Sequence, residues 1–387
     1  MDTYGYASVN KNVSRGTLIE VHMADLHFGA FNPYTQYQIL MEQVVAKISL
    51  LPKIDIISID GDIFDHKFMA SSDAITVAQY FIKDLIAVCA MKHATLIIIG
   101  GTFSHDADQI KLFYPLAEQA KNVCDIRIVE ECRYEYVKGK RILCIPELYG
   151  KGKQFYRDLM YGNGLYDSCY MHGTYAGSIY GKELPDLDSQ REPVFCMNDF
   201  GYCLGPIISG HVHNARCFDS HFYYCGSPYR WSFADADIDK GFIFLLQDIA
   251  THTYSIQYEP IISDKYAIIN LDDMIHNDPK DIIQFILRRK VEENIKYIRI
   301  DFTVSNPEAI NLLQTYFRGN KEVIINDKSR KEEITKETKE IVEKYKDFDY
   351  IFDRNLTPEA KLAKYINQCK KEIYITADDL VNLLKDL

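Results

Sequence analysis

The apolar residues of this chain come in short runs, and each of the first three runs ends at a polar cluster rich in Asp, His and Gly. Residues 17–24 (TLIEVHMA) lead into Asp25-Leu26-His27, and residues 54–59 lead into Gly61-Asp62-Ile63-Phe64-Asp65. Residues 94–99 lead into Gly100-Gly101-Thr102-Phe103-Ser104-His105-Asp106. Runs this short and this apolar read as buried strands. Between them, residues 34–51 and 72–91 carry helical spacing. Strands alternating with helices predict an α/β layered fold. In open sheets of that class, ligands collect at the carboxyl ends of strands.

Further strands are expected at 141–145, 206–209, 221–225 and 241–247, closer together than the first three. The character of the chain changes near Pro260. Residues 266–271 and 296–304 read as strands, 279–293 and 307–317 as helices, and 322–326 as a third strand, which together make a small α+β module. Residues 328–346 are rich in Lys, Glu and Thr and read as a solvated linker or helix. Thr357-Pro358-Glu359 and Thr376-Ala377-Asp378-Asp379 look like capped starts of two terminal helices. The expected division is therefore a lead-in at 1–16, a first domain at 17–255, the α+β module at 256–327 and a tail at 328–387.

The ten cysteines are scattered with no CxxC pair, so a zinc knuckle or thioredoxin motif is not expected and reduced, packed thiols are. No apolar run reaches the ~20 residues that span a bilayer, and the first residues lack a signal-peptide pattern, so a cytoplasmic or nucleoid-associated protein is expected. The net charge of −11 argues against a protein that coats nucleic acid by bulk charge. A nuclease remains open, because bound divalent ions invert the field around their carboxylate ligands.

Seven Asp and His residues sit at apparent strand ends. Asp25 and His27 are alternate residues, so both can project to one ion. Asp62 is suited to bridge two ions. His172 lies in Tyr170-Met171-His172-Gly173, and His211 and His213 alternate in Ser209-Gly210-His211-Val212-His213. The seventh is His105. Hard and borderline ligands in this mix suit a pair of divalent ions that hold a phosphate and acidify a water. Each motif alone has a plainer reading as a turn or a satisfied polar residue. Their order and their shared strand-end setting favour the metal reading.

This ordered set resembles the calcineurin-like metallophosphoesterases, whose motifs run D-x-H, G-D-x-x-D, G-N-H-[DE], a lone H and G-H-x-H. The resemblance implies a four-layer α/β/β/α sandwich. It places Asp25, His27, Asp62 and His213 on one metal and Asp62, His172 and His211 on the other, with His105 as the acid beside the scissile phosphate. Residues 22–29 (HMADLHFG) and 224–233 (YCGSPYRWSF) narrow the likeness to SbcD-type DNA repair exonucleases. That branch implies manganese, a homodimer, a capping domain, exonuclease and endonuclease action on DNA ends, and terminal helices that grip an SMC-like ABC ATPase. Where the family has Asn in G-N-H-D, alignment on His105-Asp106 puts Ser104, a poorer ligand. Arg230 and His66 are candidates to meet substrate, with a surface-loop histidine as the plainer reading of His66. Two other functions stay open: phosphoester hydrolysis on nucleotides or phosphoproteins, and a scaffold that binds DNA ends or an ATPase without cutting.

Overall fold

A computed structural model describes residues 16–178, 193–236, 238–275, 277–328 and 361. The expected lead-in and the tail with its terminal helices lie, apart from residues 16, 328 and 361, outside the described residues. The chain is α/β and forms two compact units. One runs to Ala267 and includes Glu293–Tyr297, and the other comprises Ile268–Glu292 and the chain from Ile298.

In the first unit, β1 (Thr17–Met23), β2 (Ile56–Asp60), β3 (Thr95–Ile99) and β4 (Asp125–Val129) pair in parallel. The chain then starts a second sheet with β5 (Arg133–Val137), β6 (Lys140–Ile145) and β7 (Ser168–His172). After a short parallel pair, β8 (Thr174–Tyr175) and β9 (Val194–Phe195), that sheet is completed by β10 (Ile207–Gly210), β11 (Arg216–Phe218) and β12 (Phe222–Tyr224). Its order is β11-β12-β10-β7-β6-β5, with β6, β7, β10 and β12 parallel. The chain returns to the first sheet as β13 (Gly241–Asp248) and β14 (Thr253–Pro260), giving the order β14-β13-β1-β2-β3-β4.

The period of two along the strands divides the core. Ile57, Ile59, Leu96 and Ile98 face one way and pack with Val77, Phe81 and Leu85 of the helix Asp73–Lys92. That helix is long and apolar enough to cross a membrane by length and composition, and its buried apolar residues belong to this core. Ile56, Ile97 and Ile99 face the other way and share a core with Ile142, Cys144, Tyr170 and Ile208 of the second sheet. Leu143, Ile145 and Met171 point to that sheet's far side and pack with Tyr156 and Met160 of the helix Lys153–Gly162. Strands buried on both faces explain why their sequences read as unbroken apolar runs.

One polar network crosses between the sheets. Lys140 on β6 is buried, and its ammonium donates to both oxygens of Glu20 on β1 (2.6 and 2.9 Å) and to the Tyr170 hydroxyl on β7 (2.7 Å). The Tyr170 hydroxyl donates to Glu20. His22 connects Glu20 (3.4 Å) to Asp60 (2.9 Å), and Ser58 donates to Asp60 at 2.5 Å. Burial works to raise the Glu20 pKa, but Lys140 and His22 overcome it and hold the carboxyl at about 2.

The expected helix over 34–51 is helical from Pro33 to Leu50, with a π turn at Met41–Val45 between Pro33–Leu40 and Ala46–Leu50, and Leu51 is extended. The expected boundary at 255/256 falls inside β14, whose pairing with β13 extends from Thr253 to Pro260 and keeps these residues in the first unit. The three-stranded sheet β15 (Tyr266–Asn270), β16 (Tyr297–Phe302) and β17 (Val323–Asp327) has β16 at its centre. In the second unit, the helices Pro279–Glu292 and Pro307–Tyr316 bury Ile282, Ile283 and Ile286 and Ala309, Ile310 and Leu313.

Removing Lys140 strands a buried carboxylate. Lys140→Ala is expected to cost about 3–5 kcal/mol of stability, read from urea unfolding, whereas the Glu20→Gln, Lys140→Met pair recovers much of it. Because Glu20 has a folded pKa below its unfolded one, its contribution is present above pH 4.5 and is lost as the pH falls toward 2. An acid titration in which the variant and wild type lose stability in parallel over that range would refute this role.

Candidate metal centre

Parallel strands in both sheets deliver ligand-type residues to one place. Asp25 follows β1, Asp62 follows β2, Glu147 follows β6, His172 ends β7, and His211 and His213 follow β10. Backbone bonds dock the loops on one another: Asp25 N donates to Gly61 O (3.0 Å), His27 N to Asp62 O (3.0 Å) and Phe28 N to Ile63 O (2.8 Å). Asp106 clamps two of the loops from below. Its carboxylate accepts from the backbone N–H groups of Ile63 (2.9 Å), Phe64 (3.1 Å) and Gly101 (2.9 Å). Burial, with the Asp62 charge added, pushes Asp106 up to about 7.

The backbone at the site is strained. Asp25, His27, Asp62 and His211 have φ of 53°, 42°, 51° and 93°, a region that side chains other than glycine enter at a cost of order 1–3 kcal/mol. Close packing accompanies the strain. A Cβ on Gly61 (φ 90°) would lie 2.2 Å from His172 Nδ1, and one on Gly101 would lie 2.1 Å from Asp62 N.

The donor atoms gather in four overlapping groups: Asp25, His27 and His213; His27, Asp62 and His105; Asp25, Asp62 and His172; and Glu147, His172 and His211. Within each, the ligand atoms lie within 4.8 Å of one another. Asp62 Oδ2 is 3.3 Å from His172 Nε2 and 3.8 Å from His27 Nε2, which places this carboxylate between two groups. Two imidazoles are oriented through their other nitrogen. His172 Nδ1 donates to Asp60 O (2.8 Å), and His105 Nδ1 donates to Asp65 O. Each leaves Nε2 free for the cluster, the arrangement by which an outer partner fixes a ligand's tautomer. Asp25 Oδ1 accepts from His211 N (2.9 Å), binding the loops of the two sheets together.

Buried atoms without hydrogen bonds mark where ions would sit. Within the cluster they are Asp25 Oδ2 and both ring nitrogens of His27. A buried polar atom left so costs about 1–3 kcal/mol. These orphans, together with a carboxylate-imidazole donor set, fit a divalent metal. Burial draws His27 down to about 3, leaving it neutral as ligation requires. Burial also lowers His172 and His211, but Asp62 and Glu147 respectively outweigh it and raise both. Ligation needs both imidazoles neutral, so metal binding there competes with protonation.

The structure brings six expected metal residues and His105 into this cluster. It does not bring Ser104, which is exposed. The hydroxyl in the cluster belongs to Thr102, whose N–H donates to Asp62 Oδ1 (2.6 Å) and whose Oγ1 lies 3.2 Å from Asp62 Oδ2, 3.3 Å from Glu147 Oε2 and 3.4 Å from His172 Nε2. Alignment on His105-Asp106 misses this because Phe103 and Ser104 loop outward between Thr102 and His105. His66 is exposed, bonded to Asp65 (2.9 Å) and tilted against the Phe68 ring. Arg230 is turned inward. Its guanidinium donates to Asp235 O (3.2 Å) and Ser263 Oγ (3.3 Å), so it braces a loop. Glu147 was not foreseen, although it sits two residues beyond a strand end as Asp62 does. Its Oε2 is 3.1 Å from His211 Nδ1 and 3.6 Å from His172 Nε2.

No known family matches the chain, and no curated protein does. Among solved structures, one aligns with 63% of this chain and 99% of its own length at 10% identity and a TM-score of 0.38, too slight a likeness to bear on fold or function.

Divalent ions are expected to raise the unfolding midpoint, by the equivalent of about 2.7 kcal/mol at a hundredfold excess over Kd, and to release protons measurable by calorimetry in buffers of different ionisation enthalpy. Gly61→Ala is expected to lose most of this thermal response. A full response in that variant would show that the fit between Gly61 and His172 is not needed.

Proposed function

We propose that this chain is a two-metal phosphodiesterase that cuts DNA at its ends, working with an SMC-like ABC ATPase. The observation that carries the reading is the meeting of Asp25, His27, Asp62, His172, His211 and His213 at the carboxyl ends of two sheets, with buried ligand atoms left unsatisfied. Six residues drawn from four separate stretches of sequence do not converge in one cluster for packing reasons, since each is polar and none fills a core. The order of motifs along the chain supports a calcineurin-like metallophosphoesterase. The helix-packed outer faces of two sheets that share a core support its four-layer α/β/β/α sandwich. The segment 224–233 and the α+β module support the SbcD-like branch, with manganese as the metal, a homodimeric assembly and the α+β module as cap. The tail proposed to grip the ATPase lies outside the described residues.

Two divalent ions bound here would hold the phosphate and acidify a water. The chain's own residues set the stage for that chemistry. Asp62, between the two sides, suits the bridging position. His172 and His105 present Nε2 because backbone carbonyls hold their Nδ1 protons. His105 is half-buried beside His27, with ring centroids 4.7 Å apart, and is placed to hand a proton to a leaving oxygen.

The test is hydrolysis of linear duplex and hairpin DNA with manganese, alone and with the ATPase. Asp62→Asn and His211→Ala are expected to abolish cleavage. His105→Ala is expected to lower kcat by about 10²–10⁴ with metal binding retained. Cleavage undiminished in Asp62→Asn would end the proposal, and efficient cleavage of small phosphodiesters with none of DNA would move it to another phosphoesterase class.

A further inference from the structure

A cleft of about 460 Å³ opens beside the cluster, lined by Phe103, Ser104, Glu147, Leu148 and Tyr149. Three observations give it a chemical character. Phe103 is 60% exposed on the loop that the His105-Asp106 alignment misread, and Tyr149 presents a second ring, 41% exposed. Glu147 belongs to both spaces: Oε2 faces His211 and His172, while Oε1 accepts the Tyr149 hydroxyl at 2.7 Å. Lys67 Nζ lies 4.4 Å from the Phe103 ring centroid, putting a cation beside the aromatic wall.

The geometry points to a nucleobase subsite. This rests on the phosphodiesterase reading: a nucleotide whose phosphate lies at the ligand cluster places its base in the cleft, because one side chain spans the two. Phe103 supplies a stacking face, Tyr149 a wall held in position by Glu147, and Lys67 a positive charge for a neighbouring phosphate. The rings of Phe103 and Tyr149 offer a face to stack on, and every base has a π-face to present. Stacking on aromatic rings is sequence-tolerant for that reason.

The probe is the 5′-monophosphate of 2-aminopurine deoxyribonucleoside, whose fluorescence falls on stacking, titrated in manganese onto the full chain. Deoxyribose 5-phosphate serves as the baseless competitor. The nucleotide is expected to bind about tenfold more tightly than the sugar phosphate, in keeping with one stacked base, and to be quenched. Phe103→Ala should erase both the preference and the quenching, and Phe103→Trp should restore them. Equal binding of the two probes by wild type, binding without quenching, or a preference that survives Phe103→Ala would each overturn the subsite. The readout needs no bond cleavage. Stacking without nuclease action would leave the subsite standing and count against the proposed function, and nuclease action without stacking would do the reverse.

Discussion

The buried Glu20–Lys140 ion pair is the constraint on which the rest of the first unit depends. Taking each charge out of water costs several kcal/mol, and the pair offsets this only because Tyr170 and His22 complete its hydrogen bonds. Such a network contributes more to specificity than to stability. Glu20 and His22 lie two residues apart on β1, as Ser58 and Asp60 do on β2, so each pair shares a face. A slip of one residue in β1 would turn Glu20 and His22 toward the helices and leave Lys140 without its carboxylate. The same slip would displace Asp25, two residues past the strand. Register and ligand position are therefore fixed by one set of contacts, and Asp60 joins them directly, since its side chain ends the network and its carbonyl orients His172.

What could be read from the sequence follows burial. Strands β1, β2, β3, β6 and β13, covered on both faces, stand out as apolar runs. Strands β4 (DIRIV) and β5 (RYEYV) escaped notice because each is the edge of its sheet and half-exposed, so charged residues interrupt the run. The same logic covers the site. Imidazoles and carboxylates after an apolar run are conspicuous, and all six of those expected at the metals meet. Glu147 was hidden because Ile145-Pro146-Glu147 reads as an ordinary exit turn. Thr102 was hidden because a fixed spacing to His105-Asp106 was assumed, whereas His105 N and Asp106 N both fold back to Thr102 O at 2.9 Å. Arg230 looked available because a sequence does not reveal that Ser263 and Asp235 surround it.

Glu147 changes the electrostatic balance of its side of the cluster. With it, the ligand groups hold three carboxylates, those of Asp25, Asp62 and Glu147. A neutral amide in the same place would leave His172 and His211 less basic. The added charge raises the His211 pKa against the effect of burial and favours a hard dication over a soft ion. It also ties the cluster to the cleft through Tyr149.

The left-handed backbone at positions 25, 27, 62 and 211 has a bearing on how such a protein can change over generations. Asp, His and Asn are the side chains that enter this conformation most readily, so geometry and ligand chemistry select the same residue types there. Mutational routes out of the site are correspondingly narrow. Valine or isoleucine at these places would unsettle the loop as well as strip the ligand, whereas asparagine would weaken the site by removing a charge and spare the loop. Lineages that abandon the chemistry while keeping the architecture should thus carry amides where this chain has acids.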